Sequence, residues 1–245
     1  MYYCFSCGST GNAIHFLSAI DQISFNDAVE KIAEINSFDI GKNEEWKKQK
    51  THTEEHDNKA RYFHSKLDKV TEYLKKRGLT DETITEFQLG YNDNISFRSG
   101  GKEKNTSGIS IPLRDKNGRT IAFAYRTFGD IKYVNSSNSD FYIKGDYLFN
   151  ADKAKKMIKD CLYICEGYFD VMSAYQQGLP CVAYAGSMLT KGHIQAIKEL
   201  CNHKENVTLY LAPDNDDAGL SAVERMREKL KILNMAVRVV EIGTI

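Results

Sequence analysis

The sequence predicts an α+β segment followed by a parallel α/β unit, and three observations carry this. Up to about residue 90 the apolar residues recur at helical spacing. From about residue 95 the period changes to two, with short alternating runs split by turn residues. After residue 150, short apolar runs alternate with amphipathic stretches of about ten residues, the pattern of strands buried between helices.

Taken in order, Tyr2–Gly8 reads as an aromatic strand ending in a turn. Ile14, Leu17 and Ile20, then Ala28, Val29, Ile32 and Ala33, mark two short amphipathic helices, with Asn12 and Ser24 as N-caps. Residues 37–60 change character: GKNEEWKKQKTHTEEHDNKA is highly charged, with Trp46 almost alone among apolar residues, and the stretch reads as a linker with some helical character. Leu67, Val70 and Leu74 mark a helix ending at Gly78, and Thr80 caps the next. The runs GISIPLRD, RTIAFAYRTF, DIKYVNSS and DFYIKGDYLF predict antiparallel strands, the first turn lying at Lys116-Asn117-Gly118. In the last part LYICEG, LPCVAYAG, NVTLYLAPD and MAVRVVEI read as strands, with helices between them.

Composition narrows the function. The 245 residues carry 33 Lys and Arg against 33 Asp and Glu, so the chain is not uniformly basic. Residues 98–160, however, hold 13 basic against 7 acidic side chains. No apolar run reaches the roughly 18 residues a membrane helix needs, and no signal peptide is legible in MYYCFSCGST. Six cysteines without a framework spacing suit a reducing, cytoplasmic compartment. Of these, Cys161, Cys165, Cys181 and Cys201 read as core thiols.

Glu166 directly follows one predicted strand, and Asp214 and Asp216 follow another. Ligands of parallel sheets collect at the carboxyl ends of the strands. Carboxylates gathered there suit a hard divalent cation, which takes oxygen ligands. The bland alternative is a set of helix caps, since Asp caps well and complements the helix dipole.

A Glu-Gly pair at one strand end and Asp-x-Asp at a later one resemble the Toprim domain of primases, topoisomerases and some nucleases. Further stretches resemble, in order, a bacterial-type (DnaG-like) primase of bacterial or phage origin. YYCFSCGSTGNAIHFL is similar to the second half of its zinc ribbon, and YLKKRGLTDETITEFQLGY to the helix pair opening its polymerase core. SGISIPLRDKNGRTIAFAYR is similar to the strand pair that follows, and IKYVNSSNSDFYIKGDYLF to its basic segment. The resemblance implies a partial zinc ribbon at 1–36, a linker at 37–60, a mixed α+β primase subdomain at 61–150 and a C-terminally incomplete Toprim sheet at 151–245.

The resemblance also implies roles. Glu166, Asp214 and Asp216 would hold Mg²⁺ or Mn²⁺, with Asp170 in support. Arg126, Lys132, Tyr133, Asn135 and Lys144 would bind ribonucleoside triphosphates and a single-stranded DNA template, where cations supply phosphate contacts and aromatic rings suit unpaired bases. Arg114 lies in the same region, whereas Lys116 and Arg119, at a turn, read as solvated surface. Cys4 and Cys7 supply two ligands where a structural Zn²⁺ needs four. In the family a Cys and a His come before them, and His15 reads as a packed or partly exposed ring rather than a ligand. A replicative helicase would dock through a region beyond this sequence. The implied activity is metal-dependent synthesis of short RNA primers. A Toprim nuclease or topoisomerase, or a non-catalytic fragment that binds nucleic acid or helicase, is the alternative.

Overall fold

The computed structural model describes residues 2–3, 10–40, 44–202, 204, 206–213 and 217–240. Two compact units divide the chain, residues 1–56 and 57–245.

In the first unit β1 (Tyr2–Tyr3) pairs antiparallel with β2 (Thr10–Gly11). Helix α1 (Ala13–Asp21) starts at Asn12, whose side chain accepts the His15 backbone N–H, and α2 (Phe25–Ile35) starts at Ser24, which accepts from Asp27. His15 also bonds Asn12 through its ring, at 2.8 Å. The charged stretch does not stay irregular. Glu44–His64 form one helix, α3, because Glu, Lys, Gln and Ala are good helix formers. Its buried Thr53 bonds the Asn26 side chain.

The end of α3 belongs to the second unit. Asp57 accepts the Thr120 backbone N–H, the Phe63 ring meets Phe123 edge-on, and the His64 ring bonds the Leu89 carbonyl. Short helices α4 (Thr71–Lys76) and α5 (Asp81–Glu86) follow, the second capped by Thr80. An antiparallel sheet then runs through β3 (Gly90–Ser99), β4 (Lys102–Arg114), β5 (Thr120–Thr127) and β6 (Tyr133–Asn135) in sequence order. Gly90 is required where β3 begins, since a Cβ there would lie 2.3 Å from the Phe63 backbone.

The expected strand at DFYIKGDYLF does not form. Ser139 Oγ accepts the Phe141 and Tyr142 backbone N–H groups, and Asn138 accepts that of Lys144, so side chains hold this segment in turns. Only Phe149 reaches a strand, bridging Ala183. Tyr142, Leu148 and Phe149 are nevertheless buried, which explains the run of apolar residues.

After α6 (Ala151–Met157) come β7 (Cys161–Cys165), α7 (Tyr168–Gln176), β8 (Cys181–Ala183), α8 (Lys191–Leu200), β9 (Thr208–Ala212), α9 (Asp217–Leu230) and β10 (Ala236–Val239). The four strands are parallel, in the order β10-β9-β7-β8. Leu162 and Ile164 of β7 and Leu209 and Leu211 of β9 pack with Ile197, Met226 and Leu230 of the flanking helices. Cys165, Cys181 and Cys201 are buried free thiols, and the Cys165 and Cys181 sulfurs lie 3.1 Å apart. A second core joins the antiparallel sheet to this unit through Ile109, Ile111, Phe149, Tyr168, Phe169 and Met172.

Candidate active site

Strands β7 and β9 are neighbours, and their last residues, Cys165 and Ala212, stand opposite each other. Glu166 therefore leaves the sheet beside the point where Pro213 leaves it. The Glu166 backbone carbonyl accepts the N–H of Ala185, just past β8. Ala185 has φ +48°, a left-handed conformation unusual for alanine, so the turn after β8 is bent onto the Glu166 backbone.

Gly167 is the N-cap of α7 and Asp170 lies in its first turn. The Asp170 carboxylate curls back over the cap, since a Cβ on Gly167 would lie 2.4 Å from Asp170 Oδ2. Glu166 and Asp170 thus both lie at the carboxyl end of the sheet, where oxygen donors would suit a hard divalent cation. Asp214 and Asp216 lie outside the described residues, as do Cys4 and Cys7. Among the described residues no three acidic, His or Cys side chains cluster as a metal site.

The basic segment reaches this end of the sheet through its aromatic and amide groups. Tyr168, two residues after Glu166, donates its hydroxyl to Asn135 Oδ1 at 2.6 Å, and its ring lies 5.7 Å from that of Tyr133. Burial, with Asp170 adding to it, pushes the Tyr133 phenol up to about 12, while Arg126 and Arg77 oppose the shift. Arg126 stacks over Tyr133 with 5.4 Å to the ring centre, and its guanidinium donates to the Thr127 and Lys132 carbonyls. These bonds fix the cation in place, so it is preorganised for an anion.

Lys132 is exposed. Lys144 lies further along, held by its backbone: its N–H goes to Asn138 and its carbonyl to His193 Nε2 at 3.0 Å. The other candidates are structural. Arg114 donates to the Gln88 side chain and the Gly118 carbonyl. Buried Arg119 clasps Asp115 across the β4–β5 turn, so its place is inside that turn rather than on a solvated surface.

Three sequence matches cover most of the chain. Residues 1–48 match the CHC2 zinc finger family, residues 104–155 the N-terminal domain of the DNA primase catalytic core, and residues 163–244 the Toprim-like family. The DNA primase of Thermotoga maritima is 29% identical over 94% of this chain. The crystal structure of the zinc-binding and RNA polymerase domains of Aquifex aeolicus primase superposes with a TM-score of 0.69, at 25% identity, over 98% of this chain and 66% of that one. The chain is a relative of the DnaG-type primases. It spans 46% of the length of the T. maritima primase. A DnaG primase catalytic domain bound to single-stranded DNA shares the fold, with a TM-score of 0.66 at 24% identity over 80% of this chain and 73% of that one.

Within this primase-type fold, two groups escaped the sequence reading. Arg77, at the end of α4, lies over the rings of Tyr73 and Phe169, at 5.9 and 5.1 Å from their centres. Burial alone would raise the Tyr73 phenol, but hydrogen bonding to Arg77, with Arg126 close by, pulls it below its ordinary value. Arg77, Tyr73, Arg126, Tyr133 and Asp170 therefore share one electrostatic neighbourhood. The second group is His193, which completes the capping box of the α8 N-cap Thr190 and holds the Lys144 carbonyl. Neither was legible, because Arg77 meets Phe169 and joins Arg126 at Tyr73, and His193 meets Lys144, only through folding across long stretches of sequence.

Proposed function

We propose that this chain is the catalytic part of a DNA primase, joining ribonucleotides into a short RNA primer on single-stranded DNA. The observation that carries the reading is the Tyr168–Asn135 hydrogen bond, which ties the basic face to the helix that follows Glu166. Phosphoryl transfer is governed by positioning and charge stabilisation, and the electrostatic neighbourhood shared by Arg126, Arg77, Tyr133 and Asp170 supports the reading. Glu166, Asp214 and Asp216 hold the divalent cation, with Asp170 in support. When bound, Mg²⁺ or Mn²⁺ neutralises triphosphate charge and lowers the barrier to attack by a hydroxyl.

Arg126 and Lys132 bind phosphates of nucleotide or template, Tyr133 and Asn135 orient them, and Lys144 adds a further cation. Cys4 and Cys7 contribute to a Zn²⁺ site of the ribbon. A replicative helicase is the protein partner this reading implies. The chain acts in the cytoplasm of a bacterium, where its template is made. Among the described residues no helix is long and apolar enough to cross a membrane.

The test is primer synthesis from labelled ribonucleotides on single-stranded DNA, with the chain alone and with the product of any adjacent gene. Labelled products appear if the reading is right. Their absence under both conditions, in Mg²⁺ and in Mn²⁺, contradicts it.

A further inference from the structure

The loop between β5 and β6 carries an aromatic ring with no packing reason to face water. Phe128 is 51% exposed. Single exposed apolar residues are common and need no explanation. This one differs in two respects. Its loop is held at both ends: the Thr127 N–H donates to the Lys132 carbonyl, the Thr127 hydroxyl to the Ile131 carbonyl, and the Phe128 N–H to the Ser107 carbonyl at 3.1 Å. The ring is also part of a group, meeting Tyr73 edge-on with 5.6 Å between ring centres. Tyr73 in turn bonds Arg77 and stands beside Arg126.

An exposed aromatic ring whose aromatic neighbour, Tyr73, stands beside two guanidinium groups is the chemistry that binds a single nucleic-acid strand: the ring stacks on a base and the nearby cations take phosphates. An apolar protein partner would make no use of the two cations. We propose that Phe128 is a stacking platform for an unpaired base, with Arg77 and Arg126, both beside its neighbour Tyr73, holding phosphates of the same strand. The inference rests on the primase reading and extends it, adding a base-binding position to a site otherwise built from phosphate and metal contacts. From Phe128 the contacts run through Tyr73 and Arg126 to Tyr133, whose ring neighbours Tyr168 two residues after Glu166, so a strand seated on the platform is led toward that end of the sheet.

The test separates base from backbone. A dT oligonucleotide and an abasic oligonucleotide of equal length are titrated against wild type, Phe128→Ala and Phe128→Trp. Stacking is worth roughly 5- to 160-fold in affinity per base. Wild type should prefer dT, Phe128→Ala should lose about 5-fold or more of that preference, and Phe128→Trp should keep it. The new indole should also be quenched by dT and not by the abasic strand; Trp46 is the chain's lone natural tryptophan, so wild type supplies the background.

Full dT preference in Phe128→Ala overturns the proposal, whether or not that variant melts lower or changes its oligomeric state. So does an unquenched indole in Phe128→Trp. If wild type makes primers while Phe128→Ala discriminates as well as wild type does, only the platform is wrong. If wild type neither binds single strands nor makes primers, the primase reading falls with it.

Discussion

Tyr168 donates its hydroxyl to Asn135 across 2.6 Å, joining the first residue of α7 to the last of β6. Tyr168 is buried, and burial raises its phenol well above the ordinary value, so it stays a neutral donor at physiological pH. One bond thus couples the end of the antiparallel sheet to the turn that carries Glu166.

Breaking that bond should be felt on both sides. Asn135→Ala leaves the Tyr168 hydroxyl buried without this acceptor, at a cost of about 1–3 kcal/mol. Tyr168→Phe should cost less, because Asn135 is only half-buried. Denaturant melts of the two single variants and the double variant should give a favourable coupling energy. Strictly additive effects would show that the two groups act independently.

His193 makes the placement of Lys144 sensitive to acid. Its Nδ1 accepts the Thr190 N–H, so the proton sits on Nε2 and is donated to the Lys144 carbonyl. A proton on Nδ1 would oppose the Thr190 N–H. Burial lowers the His193 pKa, against the opposing pull of its bond to the Lys144 carbonyl and of Asp146. A depressed histidine pKa means that the unfolded chain binds more protons. Stability from this group is full above the ordinary pKa near 6.5 and declines as pH falls through the lower folded value. Melting temperature should therefore fall on acidification below about pH 6.5. His193→Gln should flatten that part of the profile, and an unchanged profile would remove His193 from the account.

Gly167→Ala tests the carboxylate that curls over the α7 cap. The new Cβ would meet Asp170 Oδ2 at 2.4 Å, so the carboxylate must swing away. The backbone itself tolerates alanine, since Gly167 has φ −100°. Stability without metal should change by less than about 1 kcal/mol, while stabilisation by Mn²⁺ should shrink. A metal response equal to that of wild type would take Asp170 out of the site.

Lys132→Ala and Lys144→Ala should each lower the salt slope of single-strand binding by about one unit for every phosphate that the lysine neutralises. Filter binding across a salt series reads this directly. Unchanged affinity and slope in both would return the two lysines to ordinary solvated surface.

The helix caps at Asn12, Ser24 and Thr80, and the alternation of short apolar strands with helices after residue 150, were legible because they depend on local chemistry. Residues 140–149 misled, since buried aromatic residues look like a strand when the Ser139 and Asn138 side chains take the backbone N–H groups instead. Residues 44–60 were legible only as partly helical, their charge hiding how continuous a run of good helix formers they are. Glu166, Asp214 and Asp216 stand out in the sequence as a motif, and the last two lie outside the described residues. The cluster of Arg77, Tyr73 and Arg126 was not legible, because only folding brings α4 against β5.

The central claim is that carboxylates at two neighbouring strand ends form a divalent-cation site. Crowded carboxylates repel one another, and a bound cation removes that repulsion. The direct measurement is a thermal melt of wild type, Glu166→Gln and Asp214→Asn with and without Mn²⁺. The account predicts a higher melting temperature for wild type in Mn²⁺, and variants that are at least as stable as wild type without metal yet no longer respond to it. Helix caps alone would behave differently, since Asn caps as well as Asp. Superimposable wild-type curves with and without Mn²⁺ would contradict the claim.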